Sequence, residues 1–453
     1  MKPLLRRLLF IFLGLAVLIA LFYAEEDLRG WLAWKNCERE LAARGEVLDW
    51  NTYIPAPVPD DQNFFKAPKM AGWFVRGQSF TNELSDRLRN ADTTATNLND
   101  AAAAKYLAWS DQFQPDFDLI REALKRPYAR MDGDYSIPYQ QPIPNFVTVR
   151  IVAQTLAQRA KCDLQLGRPD KALQELTLLH DFRHLLEGAP TGKPMTLVAA
   201  MINVAVTGLY VETIAGGLRS HSWQEPQLAA LQQQLADINL TPFVFDALQE
   251  ESAGICRVAQ IAWIPKLFDV TGHTPWTTRV AWWFWPRGWT YQNMDNAAVL
   301  EQKPLEGFDL AHDTVAPRIF DEATRAVGKF VDHGKFPYKI IAATAIPNFS
   351  KAEQTTAHNQ TMVNEAQIAC ALERYRLAHG EYPDTLDALV PQFIEKIPHD
   401  IIGGKPLIYR RTDDGKFLFY SVGWNETDDG GQESSDKSPT GGMDFTRGDW
   451  VWQ

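Results

Sequence analysis

The chain has 453 residues, 45% of them hydrophobic, which is enough for two or three domains with cores of their own and excludes a disordered protein. A formal net charge of -11 argues against non-specific binding to nucleic acid or anionic lipid, because both depend on clustered Lys and Arg. Fifteen Trp and 24 Phe point to extensive cores, interfaces or contact with the membrane boundary.

The first element is an apolar helix. Lys2, Arg6 and Arg7 precede an uncharged run over residues 8–24 (LLFIFLGLAVLIALFYA), and Glu25, Glu26 and Asp27 follow at once. At about 1.5 Å per residue the run reaches roughly 25 Å, near the lower limit for crossing a bilayer. The charge asymmetry orients it with its N-terminus in the cytoplasm. A cleavable signal peptide is the rival reading. The run is longer than an ordinary signal core, and Phe22 stands where a small residue would precede a cut after Ala24. The expectation is an uncleaved single-pass anchor in the inner (cytoplasmic) membrane, with the bulk of the chain on the periplasmic side.

From Leu28 to Arg44 the apolar residues keep helical spacing, which predicts a continued helix with Trp31 and Trp34 near the lipid headgroups. The stretch Tyr53 to Pro68 holds four prolines, forbids a regular helix and reads as an extended connector. Helical periodicity dominates residues 100–265. Within it, Gly167-Arg-Pro-Asp170 forms a turn between two helices and resembles the turn of a tetratricopeptide hairpin. No second copy follows about 34 residues on, so a plain helical bundle is expected. A helix over Glu225 to Ile238 is expected to begin with a capping box, Ser222 to Glu225, with Pro226 in its first turn. The aromatic run Trp282 to Trp289 reads as a packing cluster, or as a patch resting on a membrane or stacking on a ligand.

Three features invite chemistry. His180 and His184 are four apart, as in HExxH zinc sites, but Asp181 stands where the basic Glu belongs. No third ligand is evident, and the plainer reading is a partly exposed helix flank. Glu250, Glu251 and Arg257 read as ordinary helical surface, because positions six apart do not face each other. Cys37, Cys162, Cys256 and Cys370 form no CxxC pair; they are buried thiols, or up to two disulfides in any of three connectivities.

The C-terminal segment is patterned most clearly. An amphipathic helix over Ala366 to Ala378 ends at Gly380, a residue suited to the left-handed cap. A short helix over Tyr382 to Pro391 follows, capped by Asp384 or Thr385. Then Pro406–Arg410 and Lys416–Val422 pair as a hairpin across Asp413-Asp414-Gly415.

The words YRLAHGEYPDTLDALVP, IPHD, YSVGWNETDDGG and GDWVW, in this order, resemble the globular part of the type II secretion major pseudopilin over Asn364 to Trp452. The whole arrangement also resembles a group of uncharacterised membrane-anchored bacterial proteins. The pseudopilin resemblance implies a small α+β domain whose last loop binds calcium through carboxylate and carbonyl oxygens. By position it points to Asn425 and to Asp444 before the terminal Gly448-Asp449-Trp450, with Asp428, Asp429 and Asp436 as further donors; the candidate metal set is Asn425, Asp428, Asp429, Asp444 and Asp449. It does not extend to the N-terminus, which lacks that family's processing word.

The expected architecture is multi-domain and mainly α: an anchor (1–24), a juxtamembrane helix and Pro-rich connector (25–99), a mainly helical domain (100–350) and a pseudopilin-like α+β domain (351–453). The expected role is a non-enzymatic interaction protein of the bacterial cell envelope with an unassigned envelope partner, possessing a membrane contact and no nucleic acid partner. The alternatives are a zinc-dependent hydrolase using His180 and His184, and a solute- or glycan-binding protein using Trp282 to Trp289.

Overall fold

The computed structural model describes residues 3–89, 98–187, 196–261, 284–332, 337–345, 350–434 and 444–452. The chain is mainly helical, with a long apolar N-terminal helix and a small C-terminal sheet. Helix α1 (Pro3–Ala43) runs unbroken for 41 residues, or roughly 61 Å. Its first half buries nothing against the body, and Phe12 is 71% exposed. Beyond Glu25 the helix becomes one-sided. Trp34, Cys37 and Leu41 lie on one face and pack against Cys256, Met294 and Ala298. Trp31 stays exposed as expected for a headgroup residue, whereas Trp34 is only 3% exposed and belongs to this packed seam. The headgroup assignment of Trp34 is therefore corrected: its indole faces protein.

The helices of the central body follow in chain order: α2 (Met70–Phe74), α3 (Glu83–Arg89), α4 (Asp100–Ser110), α5 (Gln114–Ala123), α6 (Phe146–Gln165), α7 (Pro169–Arg183), α8 (Leu197–Arg219), α9 (Glu225–Ala236), α10 (Leu240–Ile261) and α11 (Arg287–Leu305). The α6–α7 hairpin turns at Gly167, whose φ of 67° is left-handed and suits a residue without Cβ. Helix α8 is apolar and long enough to cross a membrane, but 61% of its most apolar window is buried, so it serves as the central core helix. The cap of helix α9 lies two residues later than expected: Gln224 and Gln227 form the reciprocal cap, in place of Ser222 and Glu225. The Pro-rich stretch holds only three- and four-residue 3₁₀ turns, as its prolines require, but it is not a free connector. Phe64 and Phe65 are buried, and Asn63 fixes the turn by donating to the Arg130 carbonyl (2.7 Å) and accepting from Phe65 N.

One close crossing joins α1 to this body. A Cβ on Gly288 would stand 1.8 Å from the Glu26 carbonyl oxygen, and one on Gly30 2.1 Å from the Gly288 oxygen. Around the crossing, Gly288 N donates to Asp27 (2.8 Å) and Trp289 Nε1 donates to Glu26 (2.9 Å). Trp289 also sits edge-on to Phe22 and Trp285. This part of the aromatic run thus packs at the upper end of the apolar span, while Phe284 is exposed. Trp282 and Trp283 lie outside the described residues.

A two-stranded pair, β1 (Phe308–Asp309) and β2 (Thr314–Val315), leads to α12 (Pro317–Asp332), α13 (Pro337–Ala345) and α14 (Ser350–His379). Helix α14 buries Ile368, Ala371 and Leu372 as its periodicity demands and stops at Gly380, φ 87°. The expected helix over Tyr382 to Pro391 is a single 3₁₀ turn, Leu386–Leu389, and Thr385 makes no side-chain cap. Strand β3 (Ile408–Arg411) pairs antiparallel with β4 (Phe417–Ser421), in register Ile408 to Tyr420, and β5 (Trp450–Val451) adds to the other edge of β4. A single contiguous apolar core runs from Phe64 to Trp452, so the α14–β5 segment shares its interior with the helical body.

Candidate functional site

The C-terminal loop is built outward from the end of β4. Two glycines let its ends cross: a Cβ on Gly423 would lie 2.5 Å from the Gly448 oxygen, and Gly448 itself has φ 70°. Asp449 N donates to Gln432 O (2.9 Å) just before β5 begins. The buried Asp449 carboxylate accepts Asp429 N (3.2 Å) on one oxygen and Gly431 N (2.6 Å) on the other. Burial raises its pKa, and the neighbouring carboxylates of Asp429 and Asp428 act in the same direction against the two N–H bonds.

The structure places the remaining predicted donors around this anchor. Asp428 accepts Tyr420 Oη (2.9 Å) and Gly430 N (2.9 Å). Asn425 donates to Asp429 Oδ2 (2.9 Å) and accepts Thr427 N. Asp444 stands apart and closes a turn of its own on Thr446 N (3.0 Å) and Thr446 Oγ1 (2.6 Å). Asp436 lies outside the described residues. Asn425, Asp428, Asp429 and Asp449 thus form one hydrogen-bonded loop, and much of their acceptor capacity is spent on its own N–H groups. They do not form a preformed cage of the six to eight oxygens that calcium takes.

The IPHD word acts in the same clasp. Asp400, 3% exposed, accepts Ile402 N (2.9 Å) and Val422 N (3.2 Å), tying its turn to the end of β4. Asn364 on α14 donates to His399 O (3.2 Å), and His399 Nε2 lies 3.0 Å from Asp313 O. Neither Asp400 nor Asp449 announces itself in sequence as an internal acceptor, since each sits in a word that also suits a surface turn. Asp449→Ala should lower stability by about 2 kcal/mol in urea unfolding, because it strands two N–H groups under a buried side chain.

At the end of α7 the partly exposed flank holds for Asp181 and His184, both half exposed, and is corrected for His180. His180 is 6% exposed, its Nε2 makes no hydrogen bond, and its ring meets those of His184 and Tyr210. Among the described residues, His180, Asp181 and His184 bring three potential metal-ligand atoms within 4.8 Å of one another. Glu187 pairs with both His184 and the fully buried Arg183. Burial works to raise the Glu187 pKa, but the hydrogen bond with His184 and the Arg183 charge outweigh it and hold it below the usual range. Arg183 leaves Nε and Nη2 without partners. A buried guanidinium this close opposes a second cation, which disfavours zinc here. Glu250 is corrected from surface to interior, since it is buried, and Glu251 is half-buried: burial raises its pKa although its carboxylate accepts Leu197 N. All four cysteines are buried free thiols.

The features together define a mainly helical protein with an apolar N-terminal helix consistent with membrane anchoring and a small C-terminal sheet closed by an acidic loop. No family model, no curated protein and no solved structure matches the chain.

Proposed function

We propose that this is a single-span, non-enzymatic interaction protein of the bacterial cell envelope, whose body stands on the periplasmic side of the inner membrane. The observation that carries the reading is the contrast within α1: an exposed apolar half continues without a break into a half packed on the body. Such a helix holds the body at a set height above the span. Alkaline washing of membranes should leave the protein in the pellet, and a variant with Leu13→Arg and Leu18→Arg should move to the supernatant. Release of the unmodified protein would contradict the reading.

The α14–β5 segment is proposed to be the pseudopilin-like module. A long helix backed by a three-stranded antiparallel sheet, with the last strand at the chain end, supports this. Calcium is proposed as a ligand of its loop on one observation: the Asp428 and Asp429 carboxylates act on the buried Asp449, a mutual repulsion that a divalent cation would relieve. Bound calcium would take oxygens from Asn425, Asp428 and Asp429, while Asp449 keeps the loop backbone in place and Asp444 would have to leave its own turn to join them. Saturating calcium is expected to raise the thermal midpoint relative to chelator, by an increment that Asp428→Asn reduces. An unchanged midpoint would remove calcium from the account. Zinc-dependent stability lost in His180→Ala would instead favour the metal-enzyme reading.

A further inference from the structure

The α6–α7 hairpin and the α4–α5 segment line an open cavity of about 610 Å³ that takes no part in the proposed anchoring or in the acidic loop. Its size lies in the range of small-molecule and side-chain pockets. Arg159, 5% exposed, forms part of its floor. Its donors are committed: Nε to Glu175 (2.8 Å), Nη1 to Ser110 (2.7 Å) and Asp111 (3.0 Å), and Nη2 to Gln114 (3.2 Å). The two acids beside it are not committed in the same way. Glu175 uses one oxygen on Arg159, and its Oε2 accepts no hydrogen bond although the residue is 7% exposed. Asp163 follows Arg159 by four residues and so shares its helix face. It is 2% exposed, and its Oδ1 accepts no hydrogen bond, with the half-exposed Arg168 guanidinium 3.9 Å away.

Two residues of the cavity wall therefore each hold a carboxylate oxygen that has no donor and lies just beneath the wall surface, at a cost that a donor reaching it would remove. A ligand that removes this cost carries N–H groups, and a positive charge on them strengthens the bonds to the two carboxylates. A bare metal ion is a poor fit for so large a space, and Arg159 already neutralises part of the floor. Above the floor, Asp118, Arg121, Lys171 and Asp181 supply both signs of charge, which suits polar groups flanking the cation.

We propose that this cavity binds an organic ammonium or guanidinium group, which donates to Asp163 Oδ1 and Glu175 Oε2. The group is carried by a lysine or arginine side chain of a polypeptide, or by a free polyamine. The half-exposed Arg168 competes with it for Asp163 and tunes its affinity.

The test is titration calorimetry on the full chain in detergent micelles with three probes: acetyl-Gly-Lys-Gly-amide, acetyl-Gly-Gln-Gly-amide and spermidine. The lysine peptide should bind saturably and the glutamine peptide at least tenfold more weakly. Asp163→Asn should weaken cation binding at least tenfold. Arg168→Gln should tighten it several-fold, a gain that misfolding cannot produce. Saturable binding of spermidine without the lysine peptide would support the cation site and identify a free amine as its source. Equal binding of the two peptides, no binding of either cation, or unchanged affinity in both variants would overturn the proposal.

Discussion

Gly288→Val should separate the anchor helix from the body. A side chain at this position meets the Glu26 carbonyl oxygen at 1.8 Å and the Asp27 Cα at 2.8 Å, so the obstruction is backbone and cannot rotate away. Either α1 moves off α11, or α11 bends. Moving α1 breaks the Gly288-to-Asp27 and Trp289-to-Glu26 hydrogen bonds and opens the seam that buries Trp34, Cys37 and Leu41. Overpacking of this kind costs about 3 kcal/mol, and the loss of the seam adds to it. Urea unfolding of the purified protein should show the drop, and limited proteolysis should cut near residue 45, where the α1 seam ends. Gly14→Ala provides the control, since a Cβ there has nothing within 4 Å. Equal stability of Gly288→Val and the parent would mean that the crossing does not hold the helix to the body.

The second large effect is a loss of stability as pH rises from 6.5 to 8. Glu301 and Glu353 are buried, and burial pushes both carboxyls up to about 8. Glu251 reinforces the shift at Glu301, and Asp321 does so at Glu353. In the unfolded chain both ionise near 4.5, so above that pH the unfolded state binds fewer protons than the folded state. Stability then falls as pH rises toward 8 and levels off above it. His358 works in the opposite sense. Packed between the rings of Phe445 and Trp450, it is held down at about 4 by burial, so it makes stability rise with pH between about 4 and 6.5. Above 6.5 its contribution is constant, which leaves the carboxyls in control. Glu301 and Glu353 together contribute a slope of about 3 kcal/mol per pH unit, and the fully buried Glu365, whose carboxyl burial also raises, adds to it. Glu301→Gln and Glu353→Gln keep the neutral shape and should each remove roughly half of their joint contribution. A flat profile between pH 6.5 and 8 would show that both side chains reach solvent as anions.

What was legible in the sequence follows from how local each signal is. The GRPDKAL turn, the Gly380 cap and the β3–β4 hairpin were readable because a backbone conformation or a side-chain period specifies them within about ten residues. Trp34 and His180 were misplaced because both lie on helices whose second apolar face is defined by a partner far away in the chain, α10 and α11 for one and α8 for the other. Glu250 failed for the same reason: a charged residue reads as surface until a neighbouring helix covers it. The candidate loop was legible as acidic and glycine-rich. Its internal wiring was not, because Asp449 reaches back about twenty residues to the N–H groups of Asp429 and Gly431. The cavity proposed to bind a cation left no signal, since Asp163 and Glu175 come to line one pocket only once α6 and α7 have paired.

The central claim, a body held on the outer side of the membrane by an uncleaved helix, is tested most directly by adding protease to intact spheroplasts and measuring the mass of the protein before and after. The account predicts the full 51.2 kDa chain in the membrane before treatment and, after it, a fragment protected only around residues 1–25. A body that begins near residue 25 and is free of the membrane, or a full chain that survives the protease intact, would contradict it.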